Sequence, residues 1–271
     1  MELKIKLSVI TVNLNNVNGL RKTLDSVARQ TFANYEHLII DGGSSDGSID
    51  VIKKYKKRFN GIENGLYWVS ETDKGIFNAM NKGIRKAKGE YCLFLNSGDW
   101  LLKKDAIFKM FENSNGEDIV YADILTDKNE RWTYPNSLSF FYFINNCIGH
   151  PATFHKRDLF EKNGLYNENL KITSDYNFFI TAIVKNNATY RHVSLFFSCF
   201  DTGGISLNNV SLKESEKRYI LQKHFPDQFD DIITYRKNLA ELFFYRSSKI
   251  IQLIKKIQLH KFYKKIRKNN F

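Results

Sequence analysis

Proline is scarce, with three in 271 residues, and a chain so poor in proline holds no Pro-rich linker. Cysteine is equally scarce. Cys92, Cys147 and Cys199 are far apart and form no C-x-x-C pair, which excludes a small disulfide scaffold and reads as free thiols in a reducing compartment. No stretch approaches the ~20 apolar residues that would span a bilayer. The apolar run after Lys4 and Lys6 meets Asn13 and Asn15 too soon for a signal peptide. Neither G-x-G-x-x-G nor G-x-x-x-x-G-K-[ST] occurs, so an ordinary dinucleotide fingerprint and a P-loop are unsupported. Internal repeats and low-complexity segments are absent too.

What is present is globular. Hydrophobic residues make 42% and charged residues 26% of the chain, which excludes a disordered polypeptide. Aromatic content is high at 14%, with 22 Phe and 14 Tyr, and implies aromatic cores or surfaces that face sugar or lipid. The net charge is +12, but +8 of it sits in residues 241–271. A basic tail on an ordinary body points to an anionic membrane surface before nucleic acid, and no nucleic-acid partner is expected.

The first hundred residues alternate. Leu7–Val12, His37–Ile40, Leu66–Val69 and Glu90–Leu95 read as short buried strands. Leu20–Ala28, a segment from Ile49 and Gly75–Ala87 read as helices. This rhythm predicts βαβ units and a mainly parallel sheet. Ligands of such sheets sit beyond the carboxyl ends of the strands. Every conspicuous polar cluster falls at such an end: Asn13–Asn16, Asp41–Asp46, Glu71–Lys74 and Asn96–Asp99. Further on, Ile107–Glu112, Asp175–Lys185, 211–225 and the stretch from Asp230 predict helices, while Ile119–Thr126 and Thr189–Phe200 predict strands. Leu138–Asn146 fits neither pattern.

Four blocks carry a family resemblance: Leu7–Asn13, Ile39–Ser48, Ser70–Ile84 and Gly89–Asp99. In that order they resemble the inverting glycosyltransferases of family 2, nearest to the branch with bacterial exopolysaccharide enzymes of the colanic-acid type. Weaker similarity continues through Gly149-His150-Pro151, Thr173-Ser174-Asp175-Tyr176 and Gly203-Gly204-Ile205-Ser206, and the last 60 or so residues are outside it. The resemblance implies an α/β GT-A domain over 1–210. Its nucleotide-sugar half would be 1–100 and its acceptor half 101–210, followed by a basic helical extension over 211–271. It implies transfer of a sugar, UDP-linked by default, to a saccharide or lipid-linked saccharide.

The same resemblance assigns roles. Asp99 would hold a divalent cation, Mn or Mg, helped by His150 at the metal or the donor phosphates. The family's D-x-D-type turn reads Asn96-Ser97-Gly98-Asp99 here, so one carboxylate is replaced by an amide that can still bond a ribose hydroxyl. Thr11, Asn13, Asp41, Asp73, Lys74, Asn81, Asn96 and Ser97 would contact the nucleotide sugar, with Asp41 at the base. Asp46 reads as a helix cap. Asp175 would take the acceptor's proton, although an acid there can also cap a helix. Asp201, Gly203, Gly204 and Ser206 would close over the donor. A nucleotidyltransferase and a sugar-binding module without catalysis are the rival readings. The tail 241–271 either lies on a membrane from the cytoplasmic side or packs on protein.

Overall fold

The computed structural model describes residues 4–59 and 65–247. Strands β1 (Leu7–Asn13), β2 (Tyr35–Asp41), β3 (Leu66–Ser70) and β4 (Tyr91–Phe94) alternate with helices α1 (Val17–Ala28), α2 (Ser48–Phe59) and α3 (Ile76–Lys86). Then come β5 (Trp100–Leu101), α4 (Ala106–Glu112), β6 (Ile119–Thr126), β7 (Arg131–Trp132) and α5 (Phe140–Asn145). A 3-10 turn at His150–Ala152 leads into β8 (Thr153–Lys156) and α6 (Asp158–Asn163). Helix α7 (Ser174–Phe179) continues as a π-helix over Ile180–Lys185. The described chain ends with β9 (Tyr190–Phe200), α8 (Ile205–Asn208), α9 (Val210–His224) and α10 (Phe229–Ser247).

The strands form one nine-stranded sheet in the order β3-β2-β1-β4-β8-β6-β9-β5, with β7 paired to β6. β1 pairs in parallel with β2 and β4, and β2 with β3. β8 runs antiparallel to both β4 and β6, so β6 regains the direction of β4, and β9 follows β6 in parallel. The sheet is thus mainly parallel, as the alternation predicts. β1 is buried along its whole length, which suits a β-branched run with cover on both faces. Helix α1 buries Leu20, Leu24 and Val27, and α3 buries Phe77, Met80 and Ile84. Helix α3 lies so close to β1 that a Cβ on Gly83 would come within 2.5 Å of Ile10 Cγ2.

The second half adds three details. β8 was not expected: four residues give too short a pattern, and it pairs along the edge of β4. The helix expected over Asp175–Lys185 is present, α-helical from Ser174 to Phe179 and π-helical from Ile180 to Lys185. The unplaced segment Leu138–Asn146 contains α5, capped by the Ser139 hydroxyl, which accepts the Tyr142 N–H at 3.1 Å. Part of the high aromatic content packs internally, as in the group of Phe94, Phe160, Tyr166 and Phe178.

Two compact units divide between Ile220 and Leu221. The basic tail 241–271 is described only to Ser247, so its expected membrane-facing helix lies mostly outside the described residues. Among the described residues no helix is long and apolar enough to cross a membrane.

Candidate active site

A cavity of about 850 Å³ opens where β1 and β4 end, a size suited to a small-molecule ligand. Its wall combines Asn13, Asp73, the turn Asn96–Asp99, His150 and Asp175, residues up to 162 positions apart in the chain.

The turn after β4 is fixed first. The Asp99 N–H donates to the Asn96 carbonyl at 2.9 Å, and the Ser97 N–H to the Val12 carbonyl at 3.0 Å. From α1, the Thr23 hydroxyl donates to the Asp99 carbonyl at 2.7 Å and accepts the Gly98 N–H at 3.1 Å. Gly98 sits at φ +111°, a conformation that L side chains rarely adopt, and a Cβ there would lie 2.4 Å from Asp201 Oδ2. Gly98→Ala is expected to cost about 1–3 kcal/mol of stability, read from a urea titration, because strain and collision meet at one atom.

Asp99 is 3% exposed, and its Oδ1 accepts the backbone N–H of Asp201 at 2.9 Å. Burial pushes its carboxyl up to about 7, and the adjacent Asp201 charge adds to the rise against the opposing charge of His150. Asp201 is itself held, since its Oδ1 accepts the Gly203 N–H at 2.9 Å. The segment expected to close over the donor therefore starts from a residue pinned to Asp99.

Asn96, His150 and Asp175 form a line. Asn96 Nδ2 lies 3.0 Å from His150 Nε2, and His150 Nδ1 lies 3.4 Å from Asp175 Oδ2. The two ring nitrogens of His150 thus bridge the Asn96 amide and the Asp175 carboxylate. The Asn96 Oδ1 is buried and has no hydrogen-bond partner. Asp175 does not cap its helix: Thr173 holds that position, and Asp175 Oδ1 accepts only the next residue's N–H, that of Tyr176, at 2.8 Å. Its Oδ2 stays on the cavity side with His150.

Asn13 joins this set through Ser97, whose hydroxyl donates to Asn13 Oδ1 at 2.7 Å. Asp73 also lines the cavity, near the ends of β1 and β2, and accepts the Gly75 N–H at 3.0 Å. Four other expected contacts are not on the wall. Thr11 is fully buried and bonded to His37 Nε2 at 2.9 Å. Asp41 accepts Asn13 Nδ2 at 2.7 Å, the Ser44 hydroxyl at 2.6 Å, the Ser70 hydroxyl at 2.6 Å and the Ser44 N–H at 2.9 Å. Burial alone would raise its carboxyl, but the bonds from Ser44, Ser70 and Asn13 outweigh that and hold it below its usual range. Asn81 clasps Tyr166 and Glu168, and Lys74 is exposed with its backbone N–H on Asn78. Asp46 behaves as a cap, accepting the N–H and hydroxyl of Ser48 and also the Val17 N–H of α1.

Sequence reasoning missed Lys171, Lys213, Lys217 and Glu216. The three lysines line the cavity, and Glu216 anchors the loop before Asp175. The spacing of Lys213, Glu216 and Lys217 on an expected helix was the available signal.

The profile of glycosyl transferase family 2 matches residues 8–188. A PGL/p-HBAD biosynthesis glycosyltransferase of Mycobacterium bovis (strain BCG / Pasteur 1173P2) is 31% identical over 215 residues, 78% of this chain and 82% of its own. S. aureus TarS 1–349 in complex with UDP-GlcNAc matches with a TM-score of 0.61 at 20% identity, over 83% of this chain and 73% of that one. The match spans 43% of a longer S. aureus TarS chain. Mannosyltransferase PcManGT from Pyrobaculum calidifontis, in complex with GDP-Man and Mn2+, matches with a TM-score of 0.54 at 16% identity, over 70% and 55%. These structural likenesses are of fold, that of GT-A glycosyltransferases.

Proposed function

The chain belongs to glycosyl transferase family 2 and is a glycosyltransferase; from that premise we propose that it carries a sugar, with inversion, from a nucleotide diphosphate sugar to a saccharide or lipid-linked saccharide. UDP is the default nucleotide, bacterial surface polysaccharide the default product, and the cytoplasmic membrane face the setting, with 241–271 as the contact. Family membership replaces the nucleotidyltransferase reading. The observation that carries the proposal is the line Asn96–His150–Asp175 across one cavity.

Asn13, Asp73 and Ser97 supply polar groups for the nucleotide on the strand side of the cavity. Asp175 takes the proton of the acceptor hydroxyl as that oxygen attacks the anomeric carbon from the face opposite the leaving diphosphate. Its Oδ2 accepts no backbone bond and lies 3.4 Å from His150 Nδ1, which holds it in place. One displacement inverts the centre.

Among the described residues no three His, Cys, Asp or Glu side chains gather as a metal cage. The residues nonetheless fit a divalent cation in an open shell. Asp99 is a buried carboxyl made costly to ionise by burial, and the side-chain Oδ1 of Asn96, in the same turn, lacks a partner. Asp99, with Asn96 and His150 nearby, would hold it, and donor phosphates and water would complete the shell. Such a cation neutralises charge that develops on the leaving diphosphate.

The test is calorimetric titration of the full chain with UDP-, GDP-, dTDP- and CMP-sugars, with and without Mn. One nucleotide class is expected to bind selectively, and more tightly with Mn. Asp99→Ala should remove most of that Mn-dependent gain, and equal weakening with and without Mn would reassign the metal ligand. Absence of binding to every donor would overturn the nucleotide-sugar reading.

A further inference from the structure

Lys171, Lys213 and Lys217 line the cavity at the joint between α9 and the loop that leads into α7. Glu216 makes that joint. Its Oε1 accepts the Lys171 N–H at 2.6 Å, and its Oε2 accepts the N–H groups of Ile172 and Thr173, each at 3.0 Å, and the Thr173 hydroxyl at 2.9 Å. The turn of α9 that carries the two lysines is therefore fixed two residues from Asp175. Lys213 and Lys217 are four apart and share a helix face. Lys217 is 4% exposed, with Nζ 3.3 Å from the Asn145 carbonyl and 5.0 Å from the centre of the Tyr176 ring.

These cations sit on the acceptor side. The donor-side polar groups, Asn13, Ser97 and Asp99, stand at the ends of β1 and β4. From there the contacts run through Asn96 and His150 to Asp175, and then through the neighbouring Tyr176 to Lys217. Three ammonium groups in one wall repel one another, and a polyanion between them turns that repulsion into attraction. The acid among them, Glu216, has both oxygens engaged by the loop. Lysine binds phosphate as a point charge, and a doubly charged phosphate answers three cations better than a singly charged carboxylate does.

We propose that Lys171, Lys213 and Lys217 form a phosphate subsite for the acceptor, so that the saccharide which presents its hydroxyl to Asp175 carries a phosphate group beside it. This rests on the transferase reading above and names its substrate class. The phosphate belongs to a sugar phosphate ester or to the diphosphate head of a lipid-linked saccharide.

The experiment titrates the UDP-saturated full chain with inorganic phosphate, glucose 1-phosphate, farnesyl diphosphate and neutral methyl glucoside, at low and high salt. Inorganic phosphate is expected to bind in a salt-sensitive way and methyl glucoside is not. Tighter binding of glucose 1-phosphate assigns the group to a sugar ester, and tighter binding of farnesyl diphosphate assigns it to a lipid head. Lys213→Met and Lys217→Met should each weaken phosphate binding about tenfold or more, as loss of a charge-assisted bond does, and leave UDP affinity within a factor of two. Lys213 is the less buried of the pair, so K213M carries the test if K217M fails to fold. Parallel loss of UDP affinity would hand the lysines to the donor diphosphate and overturn the proposal. Absence of phosphate uptake by the UDP-loaded wild type would overturn it as well. Failure of UDP itself to bind would instead strike the donor reading, so the two failures are separable.

Discussion

Asp175→Asn is expected to lower kcat for sugar transfer by about 10²–10⁴, the usual range for loss of a general base, while the donor dissociation constant stays within a factor of two. Asn keeps the shape of Asp and an oxygen for the Tyr176 N–H, which is the bond that Asp175 Oδ1 makes at 2.8 Å. What it loses is the basic oxygen that faces His150 at 3.4 Å. The side chains of His150 and Asp175 are 16% and 21% exposed, so water can reach the groups whose contact is lost and the fold should be unaffected. The measurement is initial rate at saturating donor, alongside calorimetric titration of the donor on the same preparation. A variant with wild-type kcat would remove Asp175 from the proton transfer. A wild type that binds donor and shows no turnover with any saccharide would favour a binding module.

That prediction rests on a residue legible from the sequence, and it helps to see why others were not. Alternation placed β1, β2, β3 and β4 and put Asn13, Asp41 and Asn96 at their carboxyl ends, which is where they are. Reaching a strand end is not reaching the cavity. Thr11 precedes Asn13 by two residues on the same face, and that step leaves it inside the sheet, against His37. Asp41 ends its strand, but the loop Gly42-Gly43-Ser44 folds back over its carboxylate and spends its lone pairs on local donors. Asn81 bonds Tyr166 across 85 residues, a pairing that no local pattern contains. Local chemistry thus located the ends of strands, and tertiary packing chose which end groups face the cavity.

The same division separates the two halves of the molecule. In the first, β1, β2 and β3 are each followed by a helix, and period alone gives that succession. In the second, β8 depends on the edge of β4, and β5 pairs with β9 almost a hundred residues later. The wall that holds Asp175 is built from such distant pieces, including a helix that begins after the family match ends at 188. An α9 placed in an appended extension could not be suspected of touching Asp175's loop.

Glu216→Ala tests that contact most directly, and its expected effect on stability is the largest among single changes beyond the family match. The substitution leaves three backbone N–H groups and one hydroxyl without their acceptor, in a place where Glu216 is 8% exposed and water has little access. Stranded buried donors cost about 1–3 kcal/mol each and do not add fully, so the net loss should be about 3 kcal/mol. For a chain of this size that lowers Tm by roughly 6–12 °C. The loop 171–173 enters α7 directly, so its release also loosens Asp175. At a temperature where the variant remains folded, kcat should fall while UDP affinity stays near wild type, because the strand-end groups of the donor side do not depend on α9. Glu216→Gln keeps one acceptor oxygen and should recover part of both losses. A purely structural role predicts the drop in Tm with kcat per folded molecule unchanged. The measured split between Tm and kcat therefore decides whether α9 only braces the transferase domain or sets the position of its base.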